Sequence, residues 1–307
     1  MTEAPDLETV LDLEDAIDLR LTLAPLAHGR GDPTFRFAAD GIWYARRTDA
    51  GAATVHLRAT DGRVAVRAWG PGAQVATDAV PDLIGLPDDP SGLVAHHRLI
   101  GQLVRRFPGL RLPRSGAVLA ALIPAVCEQK ITGVEAQRVY RALVLGLGEP
   151  APGPGGITLP PSAERLAATP YFAFHPFGLE RRRAELLRRL GALGSRLEPS
   201  SSLDGPDAWQ AVGVRLAAIP GIGPWTTAEV LRVAGGDPDA ISVGDYHLPN
   251  LVAFALAGEP RGTDDRMLEL LEPYRGQRGR VQRLLEVSGI RAPRYGPRMT
   301  PRNISTL

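Results

Sequence analysis

Between residues 17 and 70 apolar and polar positions alternate with a period of two, in IDLRLTL, GIWYARR, TVHLRAT and RVAVRAW. Side chains spaced this way point alternately to the two faces of a strand, so each run predicts a half-buried β-strand. The last two runs flank Asp61-Gly62, a dipeptide suited to the tight turn of a hairpin. A helix over 71–84 is expected to pack on this small antiparallel sheet, and GLPDDPSG (85–92) reads as a linker. From residue 93 the period changes to that of a helix, in LVAHHRLIGQLVRRF, SGAVLAALIPAVCEQ, GVEAQRVYRALVLGL, LERRRAELLRRLGAL, PDAWQAVGVRLAAI, TAEVLRVA, YHLPNLVAFAL, DDRMLELLEPY and RVQRLLEVSG. The stretch GEPAPGPGGITLPPS interrupts this series and is expected to bulge at the surface. The tail RAPRYGPRMTPRNISTL has four arginines and no acid, and is expected to be disordered. The pattern therefore predicts an α+β chain: a small α+β domain over 1–92 built on an antiparallel sheet, a mostly helical body over 93–289, and a basic tail over 290–307.

Composition narrows the function classes. The 307 residues suffice for two domains with a sizeable core. No apolar run approaches the roughly 20 residues that span a bilayer. The acidic start MTEAPDLETVLDLEDAIDLR has neither a basic nor an apolar leader region, so a cytoplasmic protein without a membrane partner is expected. Cys127 is the single cysteine, which excludes an internal disulfide, a zinc knuckle and an iron–sulfur cluster. Lys130 is the single lysine, so any Schiff-base chemistry from a lysine falls to that residue. The net charge of +1 divides unevenly: residues 1–92 hold 15 acids and 8 arginines, the remainder 19 acids and 27 bases. A basic body behind an acidic front suits a polyanionic partner.

One segment breaks the helical rhythm and then resumes it. LAAIPGIGPWTTAEV (216–230) places Pro220-Gly221-Ile222-Gly223-Pro224 between two helical patterns, giving a helix-hairpin-helix over 209–235. The glycines permit positive φ and leave backbone N–H groups exposed, and the positive end of the second helix points the same way. Such a hairpin can grip nucleic-acid phosphates without reading sequence. Pro220 pre-sets the turn, Pro224 suits the first helical turn, and the hydroxyls of Thr226 and Thr227 offer further donors. Downstream, ISVGDYHLPN places Asp245 after an apolar run and before a new helix, where an aspartate also serves as an N-cap. His175 and His247 lack metal-ligand spacing.

These segments together resemble the helix-hairpin-helix DNA glycosylase superfamily, and within it the bacterial 3-methyladenine DNA glycosylase II branch. The resemblance rests on IPGIGPWTTAEV, on SVGDYH, and on PGLRLPRSGAVLAALIPAVCEQKIT with its PGLRLP and EQ elements. It implies a small α+β domain followed by a helical glycosylase body, a duplex DNA partner containing damaged bases, and a monomer needing no cofactor. Asp245 falls at the catalytic carboxylate, which stabilises the oxocarbenium-like sugar as the N-glycosidic bond breaks. Bifunctional members carry a lysine where this chain has Trp225, so a monofunctional enzyme that leaves an abasic site is expected. Trp225 and Tyr246 match positions of the aromatic pocket that receives the flipped base, where an electron-poor alkylated ring stacks on indole or phenol. Gly221, Ile222, Gly223, Thr226 and Thr227 form the DNA-binding hairpin. The wedge that fills the gap left by the flipped nucleotide falls on Lys130 or Ile131 with Gln129 beside it, although relatives carry an apolar wedge. A monovalent cation is implied on the carbonyls of Ala217, Ile219 and Ile222. Leu285 stands near where some relatives place a pocket tryptophan, and Gly244 stands where others have an acid. The alternatives are a glycosylase of this fold for deaminated or oxidised bases, and a DNA lesion-binding protein that does not cleave.

Overall fold

The computed structural model describes residues 3–199 and 205–293. The first strand, β1 (Leu7–Asp12), lies ahead of the expected ones. IDLRLTL is not a strand: Asp18 accepts the Leu21 N–H at 2.9 Å and starts helix α1 (Leu19–Leu23), followed by a 3-10 turn over Ala24–Leu26. Leu19, Thr22 and Leu23 are buried on one helical face; Leu19 and Leu23, four apart, share a face in a strand as well, so over so short a run the two periods overlap. Next come β2 (Phe35–Phe37), β3 (Ile42–Thr48), β4 (Gly51–Thr60) and β5 (Arg63–Trp69), the last two joined at Asp61-Gly62 as expected. They form an antiparallel sheet in the order β1-β5-β4-β3-β2, with β1 returning to pair with β5 from Leu7↔Ala68 to Asp12↔Arg63. The expected helix over 71–84 is split at Ala79 into α2 (Ala73–Asp78) and α3 (Val80–Leu83). One face of the sheet buries Phe35, Val55, Leu57, Val64 and Val66 with Leu23, Val80 and Leu83.

After α4 (Arg98–Arg106), α5 (Val118–Glu128) and α6 (Gly133–Leu147), the Pro- and Gly-rich stretch does not bulge outward. It forms two short strands, β6 (Glu149–Pro150) and β7 (Thr158–Leu159), and folds onto the second face of the front sheet. Ile157 and Leu159 are buried there with Trp43 and Trp69. The glycines explain the fit, since a Cβ on Gly153 would stand 2.4 Å from Trp69 Cγ and one on Gly155 2.9 Å from Trp43 Cε3. Only a bare backbone passes that close to an indole.

The remaining helices are α7 (Ala163–Ala168), a 3-10 segment (Tyr171–Phe177), α8 (Arg181–Leu193), α9 (Gly205–Ala217), α10 (Pro224–Val230), α11 (Leu248–Ala257), α12 (Asp264–Leu271) and α13 (Arg278–Val287). They enclose two cores. Leu122, Leu143, Phe174, Leu187, Leu190, Val212 and Val230 belong to the one that unites α5 to α10. Ile100, Leu248, Val252, Leu271 and Leu284 belong to the other, which joins α4 to α11, α12 and α13. The second contains Leu285, fully buried, so that this residue lines no open pocket. Among the described residues no helix is long and apolar enough to cross a membrane. Residues 294–307, most of the basic tail, lie outside the described residues.

Candidate functional site

The interrupted helical pattern forms a tight hairpin at the seam between the two helical cores. After α9, Ile222 N–H donates to the Ile219 carbonyl at 3.0 Å and closes the turn, while the Ile222 side chain plugs into the core beneath. Gly221 has φ +100°, a conformation that L side chains rarely adopt. Gly223 is extended (φ −105°, ψ 179°), so its handedness does not require glycine. A Cβ there would meet nothing within 4 Å, which leaves that side of the turn open. Two further carbonyls of the turn are also engaged: Pro220 accepts Arg189 Nη1 at 2.9 Å and Gly221 accepts Gln129 Nε2 at 3.1 Å. The basic helix α8 therefore turns two of its arginines onto the protein. Arg189 braces the hairpin, and Arg183 is buried against the Cys127 carbonyl at 2.8 Å. Gly221→Ala is expected to cost about 1–3 kcal/mol through the strained φ, read as a lower midpoint in thermal denaturation.

The hairpin threonines differ from expectation. Thr226 is buried and its Oγ1 accepts Gln129 Nε2 at 3.0 Å, while the Thr227 Oγ1 is also buried. Neither hydroxyl is presented to solvent, and the open surface of the hairpin is backbone.

Asp245 reaches the hairpin through Trp225. Its Oδ1 accepts the N–H groups of His247 (2.7 Å) and Leu248 (2.8 Å) at the start of α11, and its Oδ2 accepts Trp225 Nε1 at 3.2 Å. The capping role and the placement of a carboxylate beside the hairpin are thus met by one side chain. Both oxygens are held by fixed donors, so the group cannot rotate freely, yet it is only half-buried. Gly244, at φ +91°, turns the chain into this position and donates its N–H to Asp264 Oδ1 at 3.0 Å. Tyr246 does not join Trp225 in a closed pocket; it is 77% exposed, with its ring edge-on to His247 at 4.9 Å.

The three residues assigned to the wedge separate. Gln129 turns onto the hairpin, Ile131 packs against the core of α5 to α10, and Lys130 projects into solvent.

Behind Asp245 lies a buried polar network. The Asp245 N–H donates to the Ser242 carbonyl at 3.1 Å, and Ser242 Oγ donates to Glu229 of α10. Ser242 Oγ also accepts Gln282 Nε2 (3.1 Å) and Arg232 Nη1 (3.3 Å). Arg232, on a π-helical turn that continues α10, grips Glu229 at 2.9 Å and both oxygens of Glu286 at 2.9 and 3.0 Å. Burial pushes the Glu229 carboxyl up, against the opposing pull of Arg232. Burial acts the same way on Glu286, but Arg232 and Arg283 outweigh it and hold that carboxyl low. Glu229 and Arg232 alone read as an ordinary i, i+3 surface pair; the link to Glu286, more than fifty residues on, leaves no mark in the sequence.

No family model matches the chain. A curated relative, the probable bifunctional transcriptional activator/DNA repair enzyme AlkA of Mycobacterium tuberculosis, is 31% identical over 179 residues, 56% of this chain and 35% of that protein. The chain thus spans about a third of the length of the curated relatives it matches. Among solved structures, a 3-methyladenine DNA-glycosylase from Archaeoglobus fulgidus superposes with a TM-score of 0.74 at 18% identity, over 91% of this chain and 97% of that one. The fold is that of the helix-hairpin-helix DNA glycosylases. An 8-oxoguanine glycosylase/lyase from Clostridium acetobutylicum, in its apo form, shares the glycosylase fold with a TM-score of 0.68 at 12% identity, over 93% and 98% of the two chains. Within this fold the hairpin, Trp225 and Asp245 occupy the junction between the two helical cores.

Proposed function

We propose that this chain is a monofunctional DNA glycosylase that excises alkylated purines from duplex DNA by flipping the base and hydrolysing its N-glycosidic bond. The observation that carries this reading is the Asp245 carboxylate, immobilised by three donors beside the hairpin. A carboxylate held in place needs no reorganisation as positive charge grows on the sugar, so its attraction acts on the transition state. Alkylation at N3 or N7 makes the purine a cationic leaving group, which removes most of the need for a general acid. Trp225 offers an indole face to the flipped base, and exposed Tyr246 is free to close over it. The side chain at the position of the lyase lysine is this indole, which forms no imine, so the product is an abasic site. Exposed Gly221 and half-buried Gly223 offer the backbone that takes the phosphate contacts, Ile222 anchors the turn in the core, and Thr226 supports it from within.

The hairpin carbonyls suit a monovalent cation in part. Ala217 lies at the C-terminal end of α9, where carbonyls lack helical partners, whereas Ile219 already accepts the Ile222 N–H. With Ala217, Ile219 and Ile222 as uncharged oxygen donors, a bound cation would add positive potential facing a phosphate.

The relative from Mycobacterium tuberculosis is named a DNA repair enzyme, and the fold is shared with glycosylases named for 3-methyladenine and for 8-oxoguanine. The test is product analysis on duplexes carrying methylated, oxidised or deaminated bases. Release of 3-methyladenine or 7-methylguanine with an intact strand supports the proposal. Release of only oxidised or deaminated bases selects the sister activity, and binding without release selects a lesion-recognition protein.

A further inference from the structure

The last two residues of α5 and the first residue after it are fastened to three different parts of the molecule. The Cys127 carbonyl accepts Arg183 Nη1 at 2.8 Å, and Arg183 is itself paired with Glu180 at 2.5 Å. Glu128 Oε1 lies 3.5 Å from Nδ1 of His28, a residue of the front domain whose ring stands edge-on to Tyr140 of α6. Gln129 Nε2 donates to both sides of the hairpin turn, at the Gly221 carbonyl and the Thr226 hydroxyl. The next residue, Lys130, has φ +59° and is exposed; it is the only non-glycine residue with positive φ among the described residues. Two residues on, Thr132 caps α6.

A glycine would adopt the Lys130 conformation without penalty, so the side chain is retained against a backbone preference. Such a conformation persists only where its surroundings over-determine it. Here three anchors sit on the three preceding residues and a helix cap follows two residues later.

We propose that Cys127, Glu128 and Gln129 form a rigid mount that presents the Lys130 side chain to damaged DNA beside the hairpin, with Gln129 as its positioning residue and the front domain contributing through His28. This rests on the reading that the chain acts on duplex DNA. The mount makes lesion probing depend on a side chain that touches the hairpin from within, and on a front-domain residue far from it in sequence.

The experiment compares Lys130→Gly, Gln129→Ala, His28→Ala and the Gln129→Ala/Lys130→Gly double variant in the full chain, on a duplex with one methylated purine and on the same duplex undamaged. Lys130→Gly is expected to raise Tm by about 2–4 °C, because the strain is released, and to slow single-turnover base release by tenfold or more. Gln129→Ala is expected to slow release about tenfold, the worth of the two hydrogen bonds lost, while affinity for undamaged duplex persists through the hairpin. His28→Ala is expected to slow release about two- to fivefold. The double variant should be no slower than Lys130→Gly, since the mount has nothing left to present. Wild-type release rates in Gln129→Ala, or additive losses in the double variant, would overturn the mount. A wild-type protein that neither binds duplex nor releases a base would instead overturn the underlying reading.

Discussion

Asp245→Asn is expected to lower the rate of base release by about 10²–10³ while the protein still binds duplex and still folds. The proposed mechanism gives this side chain a second duty beside the one its hydrogen bonds show. As a cap, Oδ1 accepts two backbone N–H groups, and an asparagine oxygen can accept the same pair. As a charge, the carboxylate supplies what an amide lacks when the sugar becomes cationic, so the loss falls on the chemical step and not on docking. Trp225 Nε1 would then face an amide NH₂, two donors opposed, which adds a small stability loss visible as a lower Tm. Single-turnover release of methylated bases, measured beside duplex affinity and Tm, separates these effects. Wild-type release from Asp245→Asn would remove the charge from the mechanism. A matching fall in affinity would make Asp245 a binding group.

Arg232→Ala is expected to be the most destabilising single change at the site, costing about 3–5 kcal/mol. The guanidinium stands between Glu229 and Glu286 and reaches Ser242, so its removal leaves Glu229 buried without a counter-charge and facing Glu286, which keeps only Arg283. On a chain of this size the expected fall in Tm is on the order of 10 °C. The pH dependence distinguishes this cause from lost packing. In the native protein Glu286 is held low, so its contribution is present above its unfolded pKa and fades as pH falls. In the variant Glu229 is pushed further up by burial and Glu286 loses one of the two guanidiniums that hold it low, so the penalty grows as pH rises and the buried Glu229 ionises. The Tm gap between wild type and variant should therefore narrow as pH falls from 7 towards about 5. A gap independent of pH would assign the loss to packing. Because Ser242 accepts the Asp245 N–H and belongs to the same network, the variant should also release bases more slowly at temperatures where it remains folded.

Much of this architecture is legible in one dimension because its signals are local. Period-two alternation marks β3, β4 and β5, the Asp61-Gly62 turn marks their hairpin, and the Gly221 region marks a break between two helices, since each depends on neighbours a few residues apart. The misread segments show where that locality ends. IDLRLTL satisfies either period over five to seven residues, and the cap at Asp18 decides for a helix. GEPAPGPGGITLPPS has the composition of an exposed loop, but its glycines are there to let the backbone pass two tryptophans of a sheet roughly a hundred residues earlier.

The sequence by itself determined the alternation of strands and helices, the hairpin turn, the chemical identity of Asp245 and Trp225, and the exclusion of cysteine-based metal sites. Only the tertiary structure decided that Trp225 and Asp245 meet, that the Thr226 and Thr227 hydroxyls turn inward, that Gln129 serves the hairpin while Lys130 alone projects, and that Arg232 is shared with Glu286. The physical reason is that turn propensity, capping and periodicity act through the chain over one or two turns, whereas hydrogen bonds between side chains on different helices depend on how two cores pack against each other. That packing depends on all the buried residues at once, and no short stretch of the chain records it.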